Sequence, residues 1–182
     1  MSRPGGSDLP ELDLQPGELH LARGPAMLRT ILGSCVGATF WCRRLQAGAL
    51  CHGVLPHCPA AAAYHVEEGA RYVDFSIRHL VREFQSIGVR ASELEVKLFG
   101  GADVLPAAGV RNRPTVGALN CAAACEVVAE LGLSISASDL GGTRGCRIHF
   151  DTGTGVVLLH RLPSWRLPPA EKRAHFGRKV PV

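Results

Sequence analysis

Apolar positions along this chain fall into short runs of period two and longer runs of helical period, with glycines between them. Residues 18–22 alternate weakly and predict a first strand. Residues 28–32 predict a second, broken at Gly33-Ser34, and residues 36–42 a third, rich in β-branched and aromatic side chains. Arg43-Arg44-Leu45-Gln46 is polar enough to turn the chain, and residues 47–55 read as a fourth strand stopped by Pro56. A loop over 56–63 follows. Then Val66, Ala70, Val73, Ile77, Leu80, Val81 and Phe84 recur at helical spacing, with Arg71, Arg78, Arg82 and Glu83 largely on the other side. One amphipathic helix is therefore expected over 66–87, closed by Gly88. Residues 94–99 form a strand ended by Gly100-Gly101, residues 102–113 a loop, and residues 115–131 a second helix with Gly132 as its stop. A strand over 133–137, a turn over 139–142 and a hairpin of 146–150 with 156–162 complete the pattern.

Strands, helix, strand, helix, strands: this order predicts an α+β fold rather than a doubly wound parallel one. The expected architecture is a layered sandwich of mixed or antiparallel β-sheet with two main helices in a single domain. A chain of 182 residues, 46% apolar and 20% charged, suits one globular domain with a substantial core. Residues 1–16, with Gly5-Gly6 and three prolines, read as a flexible lead, residues 17–162 as the domain, and residues 163–182 as a basic, Pro-containing tail. The net charge of +4 owes much to that last stretch, which reads as a solvated tail ahead of an acid-seeking patch. No apolar run reaches the roughly 20 residues needed to span a bilayer, and the N-terminus lacks a signal-peptide layout. A cytoplasmic protein without membrane insertion is expected. Neither Gly100-Gly101 nor Gly141-Gly142 fits a dinucleotide or phosphate loop, so no nucleotide site is expected; no nucleic-acid partner is expected either.

Seven cysteines in a cytoplasmic protein should be mostly reduced. Cys121 and Cys125 lie one turn apart on an alanine-rich helix, where cysteine acts as a small apolar residue. Cys51, His52, His57, Cys58 and His65 cluster loosely but without ligand spacing, so neither a metal nor a cofactor is expected.

Cys35 and His52 carry the chemistry that stands out. Each lies in a short apolar run with glycine nearby, the minimum kit for a cysteine nucleophile and its base. Taken alone, Cys35 reads as a buried structural cysteine and His52 as an ordinary strand residue. The hairpin joins them. If its turn is centred between Arg43 and Arg44, Cys35 falls opposite His52, with Cβ atoms about 4.5–5.5 Å apart on one face. A one-residue slip would part them. The break at Gly33 and Ser34 lets the backbone approach a carbonyl and aim N–H groups at it. His57 and His65 are rival bases in the following loop. Thr30, Ser34 and Thr39 are near enough to orient the base; alternation sets Thr30 and Cys35 on opposite faces unless a bulge at Gly33-Ser34 resets it. Asn112 and Asn120 could contact a substrate amide or cap local structure, and Asp139 and Asp151 suit turns.

These residues match a known pattern. Leu32-Gly33-Ser34-Cys35-Val36 followed by His52-x-x-Leu55-Pro56 resembles the CheD-type chemoreceptor glutamine deamidases. Tyr72-x-Asp74, Lys97-Leu98-Phe99-Gly100-Gly101-Ala102, Gly117-Ala118-Leu119-Asn120, Asp139-x-Gly141-Gly142 and Phe150-x-Thr152-x-Thr154-Gly155 extend the resemblance over residues 18–162. It implies hydrolysis of selected glutamine side chains on the cytoplasmic helices of methyl-accepting chemoreceptors, giving glutamate and ammonia. It implies Cys35 as nucleophile, His52 as base, no cofactor, a layered fold related to toxin deamidases, and a CheC-type phosphatase as partner. Gly33, Ser34, Gly100, Gly101 and Asn120 are the oxyanion or substrate-loop candidates. The family's third catalytic residue is a threonine shortly before the cysteine. Here Arg29 stands six before Cys35 and Thr30 five before, and Leu119 stands where an arginine is common. Two alternatives remain open: a binding module for a chemotaxis phosphatase, and a receptor methylesterase using the same pair.

Overall fold

The computed structural model describes residues 9–104 and 113–163, which form two sheets and three α-helices. The strands are β1 (Glu11–Asp13), β2 (Leu19–Ala22), β3 (Met27–Leu32), β4 (Val36–Cys42), β5 (Ala47–Gly53), β6 (Leu94–Gly100), β7 (Ile135–Leu140), β8 (Cys146–Asp151) and β9 (Val157–Arg161). The helices are α1 (Val66–Gly69), α2 (Val73–Ser86) and α3 (Val116–Glu130). One sheet runs β2-β5-β4-β6-β7 and the other β1-β3-β8-β9. Both are mixed: β6–β7 and β1–β3 pair in parallel and the remaining neighbours antiparallel.

Burial explains the layering. Val36, Ala38, Phe40 and Cys42 of β4 and Ala47, Ala49 and Cys51 of β5 share a core with Ile77, Leu80 and Phe84 of α2 and Ala123 and Val127 of α3. From the opposite face of the same sheet, Leu50 joins Leu28, Leu32, Ile148 and Phe150 of the four-stranded sheet. Strands covered on both faces lose the alternation of a half-buried strand, and β5 is buried at every position. By contrast β3 alternates, with Leu28, Thr30 and Leu32 inward and Met27, Arg29 and Ile31 outward, because its sheet is covered on one side. The result is an α+β sandwich of helices, five-stranded sheet and four-stranded sheet. Gly48 marks how closely the sheets meet: a Cβ there would lie 2.7 Å from Phe150 Cζ and Thr152 Cγ2.

Four details depart from the pattern read along the chain. The β4–β5 turn sits one residue further on, so His52 lies opposite Gly37 rather than Cys35. The helix expected over 66–87 is interrupted at 70–72. The N–H groups of Val54 and Leu55 at the end of β5 both donate to Arg71 O, and Val73 N–H donates to Leu55 O. That pairing holds the segment out of helical geometry while α1 and α2 keep their apolar faces on the core. Strand β7 runs through Asp139 and Leu140, and the turn begins only at Gly141 and Gly142, both at positive φ. Finally, β1 lies within the stretch read as a lead, tied to β3 by the pairing Asp13↔Arg29 and by hydrogen bonds from Arg29 to Asp13 and Glu11. Residues 1–8, residues 105–112 with Asn112 among them, and residues 164–182 lie outside the described residues.

Candidate active site

Gly33, Ser34 and Cys35 are the crossing between the sheets. The chain leaves the four-stranded sheet at Leu32 and enters the five-stranded sheet at Val36. Alternation along one strand therefore does not relate Thr30 to Cys35. Thr30 points inward from one sheet and His52 inward from the other, and they meet between them.

Thr30 Oγ1 lies 2.7 Å from His52 Nδ1 and 2.8 Å from Leu14 O. The Leu14 carbonyl can only accept, so the single hydroxyl proton goes to it and Nδ1–H donates to Oγ1. This chain of two bonds sets the tautomer and leaves the lone pair on Nε2. Nε2 has no hydrogen-bond partner among the described residues. Arg29, six before Cys35, points the other way, onto Asp13 and Glu11. The threonine beside the imidazole is Thr30.

Cys35 is half-buried, and His52 is 2% exposed. Cys35 precedes Gly37, the residue opposite His52, by two positions. Cys35 lies in the bend just ahead of β4 and packs against the cluster between the sheets, toward which His52 also points, while Leu32 Cδ1 fills the place beside Gly37, 3.0 Å from where a Cβ would stand. Burial pushes the Cys35 thiol up, with its own backbone N–H acting the other way. Burial also pushes His52 below the ordinary value of 6.5. The resting pair is therefore a neutral thiol and a neutral imidazole.

The loop around Cys35 is held by three carbonyl contacts. Ala102 N–H donates to Gly33 O at 2.8 Å, Asn120 Nδ2 to Ser34 O at 2.9 Å and Gly101 N–H to Cys35 O at 2.7 Å. Gly100 and Gly101 both sit at positive φ, and a Cβ on Gly100 would overlap the Cys35 carbonyl. Their role is close support of the loop. The Gly101 N–H is taken and is not free for a substrate oxygen. Asn120, fully buried in α3, uses both amide protons, on Ser34 O and on Val54 O at 2.9 Å each. The N–H groups of Ser34 and Cys35 find no backbone acceptor among the described residues.

The other sequence candidates lie elsewhere. His57 sits 3.5 Å from Asp74, whose Oδ1 accepts from Cys58 N–H. Cys51 faces the helices while His52 faces the other sheet, so the loose Cys/His cluster is split across a strand. Among the described residues no three His, Cys, Asp or Glu side chains converge as metal ligands. Ser34 contributes its backbone, and Thr39 is buried in β4. The Leu14 carbonyl was the missed participant; the apolar spacing of Leu12 and Leu14 was its only signal. A cleft of about 510 Å³ reaches the Thr30 side of the imidazole between Leu14, Gln15, Arg147 and His149, and Cys35 is not in its lining.

Fold and site define a class: an α+β protein with a thiol, an imidazole and a threonine hydroxyl gathered where two sheets meet, the kit of a cysteine-dependent amidohydrolase. The chain belongs to the CheD family. The family model described as CheD chemotactic sensory transduction matches residues 54–161. A probable chemoreceptor glutamine deamidase CheD 2 of Geobacter sulfurreducens is 44% identical over 154 residues, covering 85% of this chain and 91% of the relative. Probable chemoreceptor glutamine deamidases CheD of Maridesulfovibrio salexigens and Pseudomonas fluorescens are 37% and 36% identical, covering 86% and 90% of this chain and 94% and 90% of their own. A match over 85% of the chain necessarily spans Cys35 and His52.

Proposed function

We propose that this protein is a chemoreceptor glutamine deamidase working through a Cys35 thioester. The observation that carries the reading is the Leu14–Thr30–His52 hydrogen-bond chain. It leaves Nε2 as the acceptor on the face shared with Cys35, in a chain whose relatives bear the deamidase name.

The steps follow from the neutral resting pair. His52 Nε2 takes the thiol proton as Cys35 Sγ attacks the glutamine amide carbon. The protonated imidazole donates through Nδ1–H to Thr30, as the neutral form does, so the ring does not turn during the transfer. His52 then returns the proton to the departing nitrogen, the carbon–nitrogen bond breaks, and ammonia leaves a thioester. Water enters, His52 Nε2 removes its proton, the oxygen attacks the thioester carbon, and the reprotonated Cys35 thiol leaves glutamate behind. No redox step or external group is needed.

The substrate is a glutamine on the cytoplasmic helices of a methyl-accepting chemoreceptor, and the protein works in the cytoplasm. No described helix is long and apolar enough to cross a membrane. Residues 17–162 act as the catalytic domain, with a CheC-type phosphatase as a second partner.

Mass spectrometry of a receptor cytoplasmic fragment tests the reading. A gain of one mass unit at defined glutamines, lost in C35A, is the expected result. Loss of methyl groups instead would assign a methylesterase. Binding without either change would leave a docking module.

A further inference from the structure

All three carbonyls of the Gly33-Ser34-Cys35 loop are held from the protein side. A trans peptide sets its N–H antiparallel to its C=O, and no peptide bond among the described residues is cis. Ala102 N–H on Gly33 O therefore turns the Ser34 N–H away from residues 100–102. Asn120 on Ser34 O turns the Cys35 N–H away from α3. Neither N–H meets a backbone acceptor among the described residues. A donor in that place stands beside the carbon that the sulfur attacks, where the amide oxygen gathers charge.

We infer that Asn120 is the positioning residue of the oxyanion hole: through Ser34 O it fixes the Ser34–Cys35 peptide so that the Cys35 N–H, with the Ser34 N–H, faces the substrate oxygen. The side chain is suited to this by its chemistry. Both groups at its Nδ2 are carbonyls, so the amide can take only one orientation. The second carbonyl, Val54 O, lies two residues past His52, so one carboxamide spans the thiol loop and the histidine strand. Thr115 starts α3 by accepting from Ala118 N–H. Gly117, without a Cβ, then lets the first turn press against the Gly101 carbonyl, and Asn120 follows one turn later on the same buried face. Asn120 touches no reacting atom; it acts through the backbone.

The inference rests on the deamidase reading, and its test separates the two. N120D keeps the shape but, even with its carboxyl protonated, has at most one donor for the two carbonyls. N120S keeps one donor, adds no charge, and serves where N120D does not fold. Two rates are measured on the folded variants. Turnover of a receptor fragment passes through an oxyanion; alkylation of Cys35 by iodoacetamide uses the same thiol and forms none. Both variants should lose about 10- to 100-fold in kcat, with KM and the alkylation rate within about twofold of wild type. Alkylation falling in step with kcat would make Asn120 a scaffold for the thiol and overturn the assignment, as would unchanged kcat. A wild-type protein that deamidates nothing would overturn the deamidase reading first.

Discussion

Replacing Thr30 by valine keeps the shape and removes one hydroxyl, and the structure says what that oxygen does. Thr30 is 4% exposed, and its Oγ1 serves Leu14 O and His52 Nδ1–H together. Without it a carbonyl and a ring N–H lose their partner at once, at about 1–3 kcal/mol for each buried group left unmet. The cleft beside Leu14 and His52 lets water recover part of this, so about 2 kcal/mol in total is expected. For a domain of this size that corresponds to a Tm lower by roughly 4–8 °C. The catalytic effect is separate. The hydroxyl favours the Nδ1–H tautomer by about 1–2 kcal/mol, and a base that loses this bias loses about 5- to 30-fold in kcat. T30S, which keeps the oxygen, should hold wild-type kcat to within a few-fold. The assay is ammonia release from a receptor fragment alongside a thermal melt. A T30V protein that melts lower but keeps full kcat would show that Thr30 is structural only. One that changes in neither would refute the hydrogen-bond argument altogether.

Burial lowers the His52 pKa, and the base works as neutral imidazole, whose fraction rises as pH climbs through that lowered value. The acid limb of kcat/KM should therefore lie below pH 6.5, and a midpoint at or above it would contradict the buried base. The same burial raises Cys35, so the alkaline limb belongs above 9.0, readable in the same pH series. G48A brings a Cβ to 2.7 Å from Phe150 and Thr152 and should cost about 1–3 kcal/mol of stability by urea unfolding, with kcat unchanged. Cys51, pushed up to about 12 by burial, contributes stability that is complete below pH 9.0 and lost as pH rises from there through about 12. C51A should therefore unfold less steeply with pH above 9.0 than wild type does, each compared with its own stability at neutral pH.

The elements were largely legible along the chain. Strands 36–42 and 94–100, helix 116–130 and the closing hairpin follow from period, glycine stops and turn residues, which act over a few neighbours. Cys35 and His52 stood out for the same reason, as reactive groups beside glycine in apolar runs. What the sequence could not supply is every relation that crosses layers. Thr30 looked wrongly faced for Cys35 because alternation assumes one strand, whereas the chain changes sheets at Gly33–Cys35. The hairpin count placed His52 opposite Cys35, two positions before its actual partner Gly37, because the turn centre is set by packing as well as by polarity. The break at 70–72 arises because the end of β5 needs acceptors there, a demand invisible in the helical period. Residues 18–22, 28–32 and 36–42 could be drawn as strands from local chemistry alone. That Leu14, Thr30 and His52 form one hydrogen-bond chain, and that Asn120 reaches the carbonyl before Cys35, was decided only when two sheets and a helix closed on the same point. Such contacts join residues 16 to 86 positions apart and leave no periodic trace.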